Sequence, residues 1–208
     1  MNYPITLTKV YKNIHIYVPS PELVKPHYEN LLTITNSTPF PFWAKLWPSA
    51  IALTEFLQSN SNYIKNKKVL EMGAGIGLPS LSIALQTKEI LISDYIPEAV
   101  TLIQKNIDYL QLKNAKATIL DWNNVPETIF ADTVLLSDVN YAPDDFESLL
   151  LLIHQFLNNK STIIIATPQR IMASPFVKML EPLVKVSEVK NIHYQGEWIA
   201  ISILVLYA

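Results

Sequence analysis

A doubly wound α/β sheet is predicted for this chain, and three observations predict it. From Lys67 onward short apolar runs alternate with amphipathic stretches, the rhythm of strands and crossover helices. The run Val69-Leu70-Glu71-Met72-Gly73-Ala74-Gly75-Ile76-Gly77 reads as a strand that ends in an acid and turns through three alternate glycines into an apolar helix. Near the end of the chain, Val184 to Tyr194 and Trp198 to Leu206 are two apolar strands joined only by Gln195-Gly196-Glu197, a link short enough to require an antiparallel hairpin.

The elements follow in order. Residues 1–45 are read as a small N-terminal cap: Ile5 to Val10 and Ile14 to Val18 alternate as a hairpin around Lys12-Asn13, and a proline-punctuated segment runs on through Pro39 and Pro41. Pro48 and Ser49 open a helix that carries Ile51, Leu53, Phe56 and Leu57 inward and stops near Ser59-Asn60-Ser61-Asn62. Strands are expected at 67–72, 89–93, 115–119, 133–137 and 161–167, with helices at 78–86, 97–111, 143–157 and 171–181. Residues 46–208 then make the core of a single domain.

Length and composition bound the chemistry. The 208 residues, half of them hydrophobic, suffice for one α/β core and fall short of two. Sixteen basic against eighteen acidic residues give a net charge of -2 with no run of like charge, which disfavours a large nucleic-acid footprint. The absence of cysteine excludes disulfides and thiolate chemistry, and His15, His27, His154 and His193 lack ligand spacing, so no metal site is expected. No basic leader precedes an apolar segment and no apolar run approaches a bilayer span, so the expectation is a cytoplasmic protein without membrane contact.

The glycine turn points to a ligand. Glycine permits positive φ and close approach of a ligand to the backbone, while the helix start offers unpaired N–H groups. The Gly73-x-Gly75-x-Gly77 spacing is one residue shorter than the dinucleotide fingerprint, and Glu71 would repel a pyrophosphate while suiting an ammonium group. S-adenosylmethionine, cationic in its amino acid portion, fits better than NAD. Asp94 closes the second strand, where an acid can accept both ribose hydroxyls or, alternatively, cap the helix beginning near Pro97. Asp121-Trp122 closes the third strand, where an acid can accept from an adenine amino group and an indole can cover the base. Trp43, Lys45 and Trp47 precede the first core helix as a lid over the cofactor or a seal of the cap onto the sheet.

The fourth strand empties into Ser137-Asp138-Val139-Asn140-Tyr141, on the rim of the switch point beside the glycine loop. Asp138 and Tyr141 are the candidate catalytic pair. Methyl transfer from a sulfonium asks the enzyme chiefly to position the nucleophile and handle its proton. Asp138 is assigned to recognising and aligning an amine; whether it also accepts the proton stays open.

Together these blocks resemble the seven-strand class I S-adenosylmethionine-dependent methyltransferases. More narrowly they resemble the family 16 lysine-specific protein methyltransferases, over Phe40 to about Leu157. Trp47-Pro48, the loop Glu71 to Gly77, Asp94, Asp121-Trp122 and the Asp-x-x-Tyr signature Asp138 to Tyr141 occur in that family's order. Pro41-Phe42-Trp43-Ala44 and Trp47-Pro48 are similar to the branch acting on the electron-transfer flavoprotein β subunit. The resemblance implies a Rossmann-like seven-stranded sheet of order 3-2-1-4-5-7-6 with the last strand antiparallel. It further implies a protein substrate, and that Trp47, Trp122 and Ser137 help hold the cofactor. Residues 1–40 and Thr167 to Glu181 match no pattern, so the target is not indicated.

Three other readings stay open. Asp138-Val139-Asn140-Tyr141 superficially resembles the Asp-Pro-Pro-Tyr signature of amino-group methyltransferases acting on nucleic acids or glutamine, without the prolines, and small amines are possible acceptors. A binding module could retain the fold and lose the activity. A nicotinamide oxidoreductase is opposed by Glu71 and the short glycine spacing.

Overall fold

The alternation of apolar runs resolves into two layers of helices around a sheet. The computed structural model describes residues 3–34 and 40–208, so Pro39 of the proline-punctuated segment lies outside the described residues. A two-stranded hairpin, β1 (Ile5–Tyr11) and β2 (Ile14–Pro19), is followed by α1 (Pro21–Ile34) and, after a 3₁₀ turn at Phe42–Ala44, by α2 (Pro48–Ser59). Then come β3 (Lys68–Met72), α3 (Leu78–Ile83), β4 (Glu89–Asp94), α4 (Pro97–Tyr109) and β5 (Ala115–Ile119). The second half runs β6 (Thr133–Ser137), α5 (Phe146–Asn158), β7 (Thr162–Pro168), α6 (Ser174–Leu180), β8 (Val184–Tyr194) and β9 (Glu197–Leu206).

The seven-stranded sheet has the order β5-β4-β3-β6-β7-β9-β8. β3, β4, β5, β6 and β7 pair in parallel, and β9 runs antiparallel to both β7 and β8. Numbered within the sheet, this is the expected order 3-2-1-4-5-7-6. Strand parity assigns the faces. Val69, Ile90, Ile92, Leu135 and Ile164 meet α2, α3 and α4, whereas Leu70, Met72, Val134, Leu136, Ile163 and Ile165 meet α5 and α6. Burial on both faces is why these strands read as continuous apolar runs. Strand order reverses between β3 and β6, which puts the crevice for a ligand at their carboxyl ends.

The N-terminal hairpin is fastened to this core. Ile16 and Val18 enter the cluster on the α4 side, and the buried Asn106 amide of α4 accepts from the Tyr17 N–H (2.7 Å) and donates to the Tyr17 carbonyl (2.9 Å). The helices differ from the sequence reading in places, α5 and α6 each being preceded by a 3₁₀ turn, at Pro143–Asp145 and Ile171–Ala173. The proline-punctuated segment contains α1, which begins at Pro21 because proline is compatible with a first helical turn, and which continues through Pro26 at the loss of one backbone bond. α3 ends at Ile83 and tightens into a 3₁₀ turn at Ala84–Gln86, leaving Leu85 on the surface. No helix among the described residues is long and apolar enough to cross a membrane.

Candidate active site

The glycine loop leaves β3 with φ of +62°, +55° and +79° at Gly73, Gly75 and Gly77, left-handed values that disfavour any side chain. Space is also short. A Cβ on Gly73 would stand 3.0 Å from Val139 Cγ1 and 3.2 Å from the Trp122 ring, and one on Gly75 would stand 3.1 Å from the Trp43 carbonyl oxygen. The loop is braced from β4: Ala74 N–H donates to the Ser93 carbonyl (2.9 Å), and Gly75 N–H donates to Asp94 Oδ2 (2.8 Å). Asp94 Oδ1 takes the Ile96 N–H at 2.9 Å ahead of α4. Asp94 thus caps the turn ahead of α4, as its alternative reading expected, and the carboxylate retains acceptor capacity toward the cavity it lines. Burial raises the Asp94 carboxyl above its ordinary range, and the Ile96, Gly75 and Tyr95 N–H groups oppose that rise.

A cavity of about 660 Å³ opens over this loop and extends to the ends of β6 and β7. Trp47, Gly73, Gly75, Gly77, Asp94, Trp122, Ser137, Asp138 and Tyr141 all line it. Two predicted residues, Glu71 and Asp121, stand outside the lining of this cavity. Glu71 has the strand parity of Val69, so its carboxylate points beneath the loop to the start of α3, where Oε2 accepts the Ser80 N–H (3.1 Å) and Oε1 is buried without a hydrogen-bond partner among the described residues. Desolvation pushes its pKa up to about 7; the Ser80 bonds lower it and the charge of Asp94 raises it further. Asp121 caps its own turn, Oδ1 accepting from the backbone N–H and the side-chain amide of Asn123, each at 2.9 Å.

The opposite wall is assembled from distant segments. Asp138 stands in the left-handed region (φ +55°), a conformation Asp tolerates better than most residues, with its N–H donating to the Ala166 carbonyl at 2.9 Å. Its side chain is 5% exposed and pairs through Oδ2 with Arg170 Nη2 at 3.2 Å. Burial holds this carboxyl above its ordinary range, and Arg170, Ser49 and the charge of Lys45 oppose that rise only in part. The Tyr141 phenol is raised by burial and by nearby Tyr95, Asp145, Asp94 and Asp138, so it is neutral near pH 7. The segment 40–47 crosses above. Trp47 Nε1 donates to the Phe42 carbonyl (3.0 Å), Tyr194 Oη donates to the Leu46 carbonyl (2.8 Å), and the Phe42 ring lies 5.8 Å from that of Tyr141.

Sequence reasoning missed several residues here. Tyr95 lines the cavity with its ring 6.3 Å from Trp122, and its position directly after Asp94 was the available signal. Arg170 had no signal, because nothing local ties the turn after β7 to Asp138. Asn140 is buried with neither amide atom hydrogen-bonded among the described residues, though it does not line the cavity.

Known proteins resemble this chain. The sequence profile of a family described as lysine methyltransferase matches residues 27–182. The protein-lysine N-methyltransferase EFM2 of Saccharomyces cerevisiae is 31% identical over 213 residues, covering 86% of this chain and 49% of that protein. The histone-arginine methyltransferase METTL23 of Homo sapiens is 30% identical, covering 56% of this chain and 64% of that one. The electron transfer flavoprotein beta subunit lysine methyltransferase of Homo sapiens is 29% identical, covering 62% and 50%. The chain thus spans about half the length of EFM2 and of the flavoprotein methyltransferase, and 64% of METTL23. Among solved structures, the N-methyltransferase NodS of Bradyrhizobium japonicum superposes with a TM-score of 0.60 at 11% identity, covering 77% of this chain and 97% of that one, a likeness of fold.

Proposed function

The chain belongs to the lysine methyltransferase family, and we propose that it transfers the methyl group of S-adenosylmethionine to the side-chain amine of a lysine in a protein. The observation that most supports this reading is a single cavity shared by the glycine loop, Asp94 and Trp122 at one end and Asp138 and Tyr141 at the other.

The residues present suit the cofactor. A Cβ on Gly73 or Gly75 would press on Trp122 and Val139 or on the Trp43 backbone, which frame the cavity, and the Ser137 hydroxyl, lining the cavity, is buried without a partner among the described residues. The free lone pairs of Asp94 would hold the ribose hydroxyls, Tyr95 and Trp122 would flank the adenine, and the loop backbone with Ser137 would take the amino acid portion. S-adenosylmethionine supplies a methyl group already activated by its sulfonium. What remains for the chain is to present a neutral amine in line and keep water away. Asp138 and the Tyr141 phenol can align that amine by hydrogen bonding, and the Phe42 and Trp47 rings cover the approach.

A second reading, arginine as acceptor, has one observation in its favour: the cavity already accommodates a guanidinium, that of Arg170, against Asp138 and 5.6 Å from the centre of the Trp47 ring. One experiment separates the two. Purified protein and its Asp138→Asn variant are incubated with tritiated S-adenosylmethionine and a cell extract, and labelled protein is hydrolysed to amino acids. Methyl-lysine formed only by the parent protein supports the leading reading and methyl-arginine the second. Label confined to RNA, DNA or small molecules would overturn both.

A further inference from the structure

We infer that Arg170 is a positioning residue, whose guanidinium neutralises Asp138 so that the carboxylate can align an incoming amine without stabilising a proton on it. The inference rests on the amine-methylation reading above and adds the electrostatic condition under which it works. At pH 7 roughly one lysine side chain in 2,500 is neutral. An unpaired buried carboxylate at the acceptor position would make the reactive form scarcer still, because it favours ammonium.

The structure supplies the counter-charge. Arg170 enters from the turn after β7, and its Nη2 stands 3.2 Å from Asp138 Oδ2, from a side chain 43% exposed to one 5% exposed. The Trp47 ring steadies the group, with Arg170 Cζ 5.6 Å and Lys45 Nζ 4.5 Å from the ring centre. The groups facing Asp138 are therefore Arg170 from the β7 turn, Lys45 from the segment before α2, the uncharged Ser49 hydroxyl of α2 and the phenol of Tyr141. One carboxylate meets two cations. An ammonium entering here is disfavoured and gives its proton to solvent, whereas a neutral amine can still hydrogen-bond to Asp138.

The test needs no acceptor protein. Sinefungin carries an amine on carbon where S-adenosylmethionine carries its methylsulfonium, so its affinity relative to S-adenosylhomocysteine reports how the site treats an ammonium at the reacting position. Both ligands are titrated calorimetrically into the parent protein, Arg170→Gln and Arg170→Lys from about pH 6 to about pH 9. In Arg170→Gln the preference for sinefungin over S-adenosylhomocysteine should rise about tenfold at pH 7 and shrink as the amine deprotonates, while Arg170→Lys keeps the parent ratio. A purely structural role would weaken both ligands together and leave the ratio unmoved, and that result overturns the inference while leaving the proposed function standing. Failure of the folded parent protein to bind either ligand would overturn the proposed function, and the inference with it.

Discussion

Across the cavity, two walls at the same sheet edge are built by different means. At the ends of β3 and β4 the wall is backbone held by short local bonds: glycines at positive φ, with Asp94 gripping the Gly75 and Ile96 N–H groups. At the ends of β6 and β7 it is side chains held by charge and ring faces: Asp138 on Arg170, both cations on Trp47, and Phe42 beside Tyr141. On the proposed function, a cofactor of constant shape would be met by fixed backbone. An acceptor that must arrive, lose a proton and leave would be met by groups that can exchange partners. Substitutions in the two walls should therefore separate binding from transfer.

The sharpest break of that comparison is Asp138→Asn, which tolerates the same backbone conformation. Turnover in the tritium assay should fall at least about 1,000-fold while the dissociation constant for S-adenosylhomocysteine moves less than about threefold; a comparable loss of binding would merge the two walls. Next is Glu71, which lies beneath the first wall. Its pKa is about 7 against an ordinary 4.5, so its contribution to stability is fully present below about pH 4.5 and is lost as pH rises through 7. Urea unfolding should show the parent protein losing about 3 kcal/mol between those limits that Glu71→Gln does not lose. Parallel curves would remove the buried charge from the account.

Asp94→Asn tests the first wall directly. Its amide NH₂ must face one of the two N–H donors now bonded to the carboxylate, so affinity for S-adenosylhomocysteine should fall about 50-fold by calorimetry. The smallest effect is expected of Tyr141→Phe, which keeps the ring against Phe42 and loses one alignment bond; kcat should drop about tenfold with cofactor affinity unchanged. A cofactor-binding defect there would place the phenol in the other wall.

How legible each wall was in the sequence follows the same division. The glycine loop, Asp94 and Trp122 could be read because each sits at a strand end that alternation had located. The Asp138–Tyr141 signature was readable for the same reason, but its counter-ion was not: Arg170 is 32 residues away on another strand's turn. Glu71 was legible as the acid at the strand end, but not that pleat parity turns its carboxylate toward the start of α3. α1 was obscured by Pro21 and Pro26, which read as breaks although the first occupies the one turn where proline costs least.

The sequence by itself determined the order of strands and helices from Pro48 onward, the antiparallel closing hairpin and the glycine turn, because periodic burial and positive φ are properties of neighbouring residues. Only the tertiary structure decided that the Trp43 carbonyl closes on Gly75, that Lys45 and Arg170 share the Trp47 ring, and that Asp138 carries a guanidinium partner. Such contacts join segments brought together by the reversal of strand order between β3 and β6, and their energies depend on distances that no local pattern encodes.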